Sequence, residues 1–344
     1  MPDKKPKVVI RADGNREIGF GHVFRCLALA QMLNKYFECW FYIQNPEPFL
    51  KAEIEKVVYG IIELPNESDF GIEASQITQH ALNGNEIVVL DGYHFDLDYQ
   101  KAIKANGNPL VFIDDLAEQH FVADVVINHA GGVQKEEYLI ESYTKLCIGS
   151  EYALLRPEFL TIAKEDRNFD QINSLFLSLG GSVQPKLLYG ILESFMKLEV
   201  KNINVLGSGT SFSQMESFKN KNLPTFNFYN NLSASEVCTL ISKCQIAITP
   251  ASTISLECCA VGIGLLTGYT VDNQLNIYEG LINKGMAIGV GRLSLDENLN
   301  LLSQTEELIN FPNKISSLKS KQRNTIDGYS DCRIQKVFSE LAVL

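Results

Sequence analysis

Short apolar runs alternate with longer amphipathic stretches from one end of the chain to the other, and this alternation constrains the fold more than any other feature. Brief runs bounded by turn residues read as strands buried on both faces, and the stretches with helical spacing between them read as crossover helices. In the first half the strands are expected at Val8–Ala12, Cys39–Ile43, Gly60–Leu64, Ile87–Leu90, Leu110–Ile113 and Val125–Ile127. Helices are expected at Val23–Leu33, Ile72–Leu82 and Leu97–Lys104. The second half repeats the plan, with strands at Leu175–Leu179, Ile203–Leu206, Ile246–Thr249, Gly264–Thr267 and Ala287–Val290. Its helices fall at Lys186–Lys197, Ala234–Lys243, Ile254–Val261 and Leu275–Asn283. An α/β chain with parallel sheets follows.

At 344 residues the chain has room for two domains of about 150 residues each. The charged stretch Ala163–Asp170, after Arg156-Pro157, reads as the linker. It separates an N-terminal Rossmann-like domain (1–162) from a C-terminal one (171–325), and a final helix within 326–344 is expected to pack back on the first. Two such domains facing across a cleft would bind ligands outside the carboxyl ends of their strands. Chemistry is therefore sought in strand-to-helix loops.

Composition narrows the partners. Hydrophobic residues at 45% and charged residues at 21% support a real core and exclude disordered, collagen-like and coiled-coil chains. The 41 acidic against 30 basic residues leave a net charge of -11, which repels nucleic acid and anionic bilayers. The densest basic runs, Lys4–Lys7 and Lys314–Arg323, make no strong patch. The apolar run Val8–Ile10 is too short for a signal-peptide core, and no stretch is long enough to span a membrane. Eight cysteines without C-x-x-C spacing, two of them adjacent (Cys258 and Cys259), read as reduced thiols of a cytoplasmic protein.

The loop Arg11 to Arg25 carries Arg11, Asp13, Gly19, Gly21 and, at the start of a helix, His22. Its glycines permit close approach to a ligand, and the helix N-terminus attracts anions, but the third glycine of a dinucleotide fingerprint is missing. His22 either caps the helix or does acid–base work, and the logic of a loop opening on a cleft favours the second. Asp91 and Tyr93 follow another strand and stand as cleft or structural residues. Asp114 and Asp115 read as carboxylates that cap a helix or bond loop amides. In the second half, Gly180-Gly181-Ser182, leading toward Lys186, and Ser252-Thr253 at a helix start can hold a pyrophosphate on amides and hydroxyls. Glu257, one turn later, either accepts ribose hydroxyls or complements the helix dipole.

Several motifs occur in order: G-x-G-H-x-x-R-C, D-G-Y, I-D-D-L, A-L-L-R-P-E-F at 153–159, L-G-G-S at 179–182, A-S-T-I-S-L-E at 251–257, V-D-N-Q at 271–274, and I-D-G-Y-S-D-C-R-I. This set resembles the pseudaminic acid pathway hydrolase family, the UDP-2,4-diacetamido-2,4,6-trideoxy-β-L-altropyranose hydrolases, over nearly the whole chain. That family is similar in fold to GT-B glycosyltransferases such as the lipid II-forming GlcNAc transferase. The resemblance implies a GT-B-like fold and a metal-independent, inverting-type enzyme without a cofactor. It implies hydrolysis of a small-molecule UDP-sugar to UDP and a free sugar destined for flagellin or surface glycans.

Carried over by position, His22 matches the essential histidine, Tyr93 the tyrosine near the sugar, and Gly180, Gly181 and Ser182 the diphosphate loop. Glu257 matches the ribose-holding acid, and Asp272, Asn273 and Gln274 face sugar and phosphates. Many relatives have a glycine where this chain has Pro250-Ala251, whose β-carbon is expected to narrow the diphosphate approach. Water attack at the anomeric carbon, with His22 as proton acceptor, is the mechanism implied. A GT-B glycosyltransferase and a non-catalytic sugar-nucleotide-binding protein are the competing readings. A monomer or weak oligomer, binding no nucleic acid and no membrane, is expected.

Overall fold

The computed structural model describes residues 5–343 except 16–17, 169–170, 181–184, 208–211, 213–217, 219–223 and 295–297. The chain divides into two compact units, 1–157 with 329–344, and 158–328.

The first unit runs β1 (Lys7–Ala12), α1 (Gly21–Leu33), β2 (Glu38–Gln44), α2 (Pro48–Glu55), β3 (Gly60–Leu64), α3 (Phe70–His80), β4 (Ile87–Asp91), α4 (Leu97–Ala105) and β5 (Leu110–Ile113). It continues with β6 (His120–Phe121), β7 (Val125–Asn128), β8 (Leu139–Ile140) and β9 (Lys145–Ile148). A seven-stranded sheet has the order β3-β2-β1-β4-β5-β7-β9, and its described pairings are all parallel. The small β6–β8 pair lies apart. From β1 the chain builds first toward β3 and then, from β4, toward the other edge. The β1–β4 junction is thus the switch point where such sheets bind ligands. Asp69 and Asp96 cap α3 and α4 by accepting backbone N–H bonds.

The second unit contains α5 (Pro157–Ile162, its first residue at the boundary), β10 (Ser174–Leu177), α6 (Pro185–Phe195), β11 (Asn202–Gly207), β12 (Thr225–Asn230), α7 (Ala234–Ser242) and β13 (Ile246–Pro250). Then come α8 (Thr253–Val261), β14 (Gly264–Tyr269), α9 (Leu275–Asn283), β15 (Ile288–Arg292), α10 (Asn298–Asn310) and α11 (Asn313–Thr325). Its sheet, β12-β11-β10-β13-β14-β15, is parallel with a switch point between β10 and β13. Leu175, Leu177, Ile246, Ile248 and Leu266 from the central strands pack with Ile191, Phe195, Ile315 and Leu318 into one core. Residues 158–162, grouped with the first half from sequence, belong to this unit. The Cys238 thiol donates to the Glu158 carbonyl, and Arg323 bonds the Ala163 carbonyl at 2.5 Å.

The last helix, α12 (Ser330–Leu341), returns to the first unit. The Ser330 hydroxyl donates to the Ala153 carbonyl at 2.8 Å, and Gln335 Nε2 donates to the Met32 carbonyl at 2.7 Å. Buried Phe338 meets Phe37 edge-on, ring centres 6.0 Å apart. Among the described residues no helix is long and apolar enough to cross a membrane. Cys332 is exposed and the other cysteines are buried free thiols.

Candidate active site

β1 ends at Ala12 and β4 at Asp91, and these two residues are register partners in adjacent strands. The β1 loop turns through Asn15 and Gly19, whose N–H donates to the Asn15 carbonyl at 2.9 Å, and Gly19 has φ +84°. A side chain there would be strained, which accounts for the glycine. The chain then enters α1 at Gly21, with His22 as its second residue. Phe20 precedes the helix without a side-chain cap, and the first turn holds no acid, so the helix start stays open beside His22.

His22 Nδ1 lies 2.6 Å from Asp91 Oδ1, and its side chain is 11% exposed. Asp91 is fully buried and strongly clamped. Arg25, one turn along α1 from His22, forks onto it with Nε to Oδ2 and Nη2 to Oδ1, both at 2.6 Å, and the Cys26 thiol adds a contact at 3.3 Å. Burial alone would raise the Asp91 carboxyl, but the charge of Arg25, then that of His22, and their hydrogen bonds hold it well below the usual carboxylate range. An ionised Asp91 only accepts, so the proton sits on His22 Nδ1 and Nε2 carries a lone pair. The 3.1 Å approach of Arg25 Nη2 to His22 Nδ1 is then a contact between two donors, not a bond.

Arg25 also reaches Asp115, Nη1 to Oδ1, at 2.5 Å, and Asp115 Oδ2 accepts the Tyr93 hydroxyl at 3.0 Å. The Tyr93 ring stands edge-on to His22, centres 5.0 Å apart, and the residue is half exposed. Burial opposes ionisation of Asp115 as well, and again Arg25 wins and keeps its carboxyl below the ordinary value. The cluster sets one buried cation against two anions, so a proton arriving on His22 brings it to neutrality.

Behind the cluster sits fully buried His129. Its Nδ1 accepts from the Leu154 N–H at 3.4 Å, while its Nε2 has no partner among the described residues. Burial first, and the charge of Arg25 second, push this imidazole down to about 4, so it is neutral near pH 7.

Several sequence expectations change here. Arg11 was taken as a ligand contact, but it is 1% exposed and spent on Glu73, through Nε at 2.9 Å and Nη2 at 2.8 Å, and on Asp13 at 2.6 Å. It is a strut beneath the loop. Asp91, also taken as a substrate contact, is buried and orients His22 and Arg25 instead. Asp114 bonds the Ala117 amide at 2.9 Å, as a loop carboxylate would, but Asp115 pairs with Arg25 and Tyr93. Arg25 and His129 were given no role by the sequence reading, and Asp115 was given a different one.

In the second unit, Gly180 follows β10 with φ +85°, whereas Gly181 and Ser182 lie outside the described residues. Ser252 precedes α8 without capping it, and the Thr253 and Ile254 amides donate no bond among the described residues. The loop before α8 is therefore open to an anion by its backbone. Ala251 is fully buried, with its N–H on the Gly268 carbonyl at 2.7 Å, so its β-carbon narrows nothing at the surface. Glu257 is buried. Asp272 and Asn273 are exposed, and Gln274 Oε1 accepts the Thr270 amide at 2.8 Å. Among the described residues no group of three His, Cys, Asp or Glu side chains is placed to hold a metal.

No protein-family model matches the chain. It is 25% identical over 288 residues to the UDP-2,4-diacetamido-2,4,6-trideoxy-β-L-altropyranose hydrolase of Campylobacter jejuni, covering 82% of this chain and 98% of that one. It is 23% identical to the spore coat polysaccharide biosynthesis protein SpsG of Bacillus subtilis, covering 97% and 98%. An uncharacterised protein of Methanocaldococcus jannaschii is 26% identical over 81% of the chain, which spans only 58% of that protein's length. In structure, MurG of Acinetobacter baumannii matches 96% of the chain and 99% of its own at a TM-score of 0.62 and 16% identity. The calicheamicin glycosyltransferase CalG4 matches 98% of each chain at 0.65 and 12% identity. In sequence the chain is thus similar to a hydrolase of a UDP-linked diacetamido sugar, and its fold is the GT-B fold of MurG-like glycosyltransferases.

Proposed function

We propose that the protein is an enzyme that cleaves a UDP-linked amino sugar by water attack at the anomeric carbon, releasing UDP and the free sugar. The observation that carries the reading is the His22–Asp91 pair, 2.6 Å apart, which turns Nε2 outward as a proton acceptor beside an uncapped helix start. The name of the Campylobacter jejuni relative supplies the substrate class, a 2,4-diacetamido-trideoxy sugar. Water loses a proton to His22 Nε2 as its oxygen bonds the anomeric carbon. The bond from that carbon to the phosphate oxygen breaks, and UDP leaves with the electron pair. In the second unit, taken by itself, the Thr253 and Ile254 amides and the Ser252 and Thr253 hydroxyls suit a diphosphate, a role in which preorganised donors contribute much of the rate. Asp91 receives the developing imidazolium, Arg25 fixes Asp91, and Tyr93 flanks the sugar.

The test is UDP release by His22→Ala in ¹⁸O-labelled water. Activity falls by about 10²–10⁴-fold while UDP still binds, and in the wild type label enters the sugar. Wild-type rates in the variant, or label in the phosphate, refute the assignment. A second reading, transfer of the sugar to an acceptor, is favoured by the likeness to GT-B transferases, since one fold serves both chemistries. UDP release that rises only when an acceptor is added would select it.

A further inference from the structure

We propose that His94 is a second substrate-contacting imidazole, whose Nδ1 accepts a hydrogen bond from an N–H or O–H of the sugar. The inference rests on the reading of the site as one for a nucleotide-linked amino sugar, and it names a contact that this reading did not contain. Tyr93 and His94 leave the end of β4 together. Tyr93 turns to Asp115 and His22, and His94 turns to Asp13 at the end of β1, with its Nε2 buried and 3.4 Å from Asp13 Oδ2.

Asp13 is rigidly held. Its Oδ1 accepts Arg11 Nη1 at 2.6 Å and the Gln44 amide at 2.9 Å. Arg11 is locked onto Glu73, and Glu73 also takes the Tyr99 hydroxyl at 2.8 Å and Gln44 Nε2. Burial opposes ionisation of Asp13, but His94 and Arg11 together keep the carboxyl below its usual range. Nε2 makes no hydrogen bond among the described residues, but the accepting carboxylate 3.4 Å away favours the tautomer with its proton on that nitrogen, which leaves Nδ1 as the acceptor. The ring is fixed between Phe70, stacked at 4.2 Å, and Phe95 at 4.0 Å.

The opposite edge of the ring is open. His94 is 26% exposed, and its Nδ1 makes no hydrogen bond among the described residues. A β-carbon on Gly92 would stand 2.9 Å from Cε1 and 3.3 Å from Nδ1, so the glycine is what keeps that edge uncovered. The construction repeats that of His22 with the two nitrogens exchanged. His22 bonds its carboxylate through Nδ1 at 2.6 Å and presents Nε2, whereas His94 only turns Nε2 toward its carboxylate, at 3.4 Å and without a hydrogen bond, and presents Nδ1. Both carboxylates stand at the paired ends of β1 and β4. An acceptor without a proton suits an acetamido N–H or a ring hydroxyl, and it repels a phosphate oxygen.

Calorimetric titration in a His22→Ala background, which removes turnover, tests the contact with two probes, UDP and UDP-2,4-diacetamido-2,4,6-trideoxy-β-L-altropyranose. With His94→Ala the UDP-sugar binds about 3- to 10-fold more weakly while UDP binds as before, and His94→Gln, whose Oε1 accepts, restores part of the loss. Unchanged UDP-sugar affinity in His94→Ala overturns the proposal and leaves the function standing, as does an equal loss for both probes. Failure of the parent His22→Ala protein to bind either probe overturns the functional reading, and this contact with it.

Discussion

The two switch-point loops of the molecule are built to opposite rules. At the end of β4 in the first unit, every polar atom of Asp91 is engaged, Arg25 spans two carboxylates, and the cluster is almost wholly buried. At the start of α8 in the second unit, Ser252 leaves the helix uncapped, and the leading amides donate to nothing among the described residues. The difference matches two kinds of work. A group that moves a proton must be held in one tautomer and one orientation before the substrate arrives. A loop that binds an anion keeps its donors unspent until then. On the proposed function, the rigid loop is the one where bonds change and the open loop the one that binds the anion.

The contrast can be broken at its strong end first. His22→Ala is expected to cost about 10²–10⁴-fold in UDP release with UDP affinity unchanged, as rate assays beside calorimetry would show. Arg25→Met strikes the same cluster through stability. It strands Asp91 and Asp115 as uncompensated buried charges, and urea denaturation should register a loss of about 3–5 kcal/mol.

His129 gives a pH signature. Its folded value of about 4 lies below an ordinary histidine's value near 6.5, so the unfolded chain takes up the proton first as pH falls. Its contribution is complete above about pH 6.5 and is lost by about pH 4, a change of about 3 kcal/mol. His129→Gln should flatten stability across that window; an unaltered slope would show that the imidazole is not held neutral. The smallest effect belongs to the open loop. Ser252→Ala should weaken UDP binding by about 3- to 10-fold and shift stability by no more than about 0.5 kcal/mol. A large stability loss there would erase the contrast.

Much of the scaffold was legible because a buried parallel strand must be apolar on both faces. β1, β4, β5, β10 and β13 stand out as runs such as Val8–Ile10 and Ile87–Leu90, and each is buried along its length. β9 and β12 did not stand out, since each is an edge strand only partly buried, with polar residues such as Lys145 and Asn227. α2 escaped notice for a similar reason, with only Leu50 and Ile54 buried in a short helix. Among site residues, His22 and Tyr93 were marked by the glycine loop and the strand end. Asp115 was misread because one of two adjacent aspartates bonds a loop amide while the other meets an arginine ninety positions away, |i−j| 90, a pairing local spacing cannot express. His129 follows a strand with no accompanying motif, and its role comes wholly from what packs against it.

The return of α12 to the first unit means that this unit is completed after the second during synthesis. Residues 329–344 leave the ribosome after the whole second unit, yet they pack on the α1 region, where Gln335 ties down Met32 and Phe338 seals Phe37 just past the helix. A nascent chain can therefore complete its second unit while the first still exposes an apolar helix face, the reverse of the usual N-terminal-first order. A stop codon before Ser330 would accordingly damage the beginning of the protein.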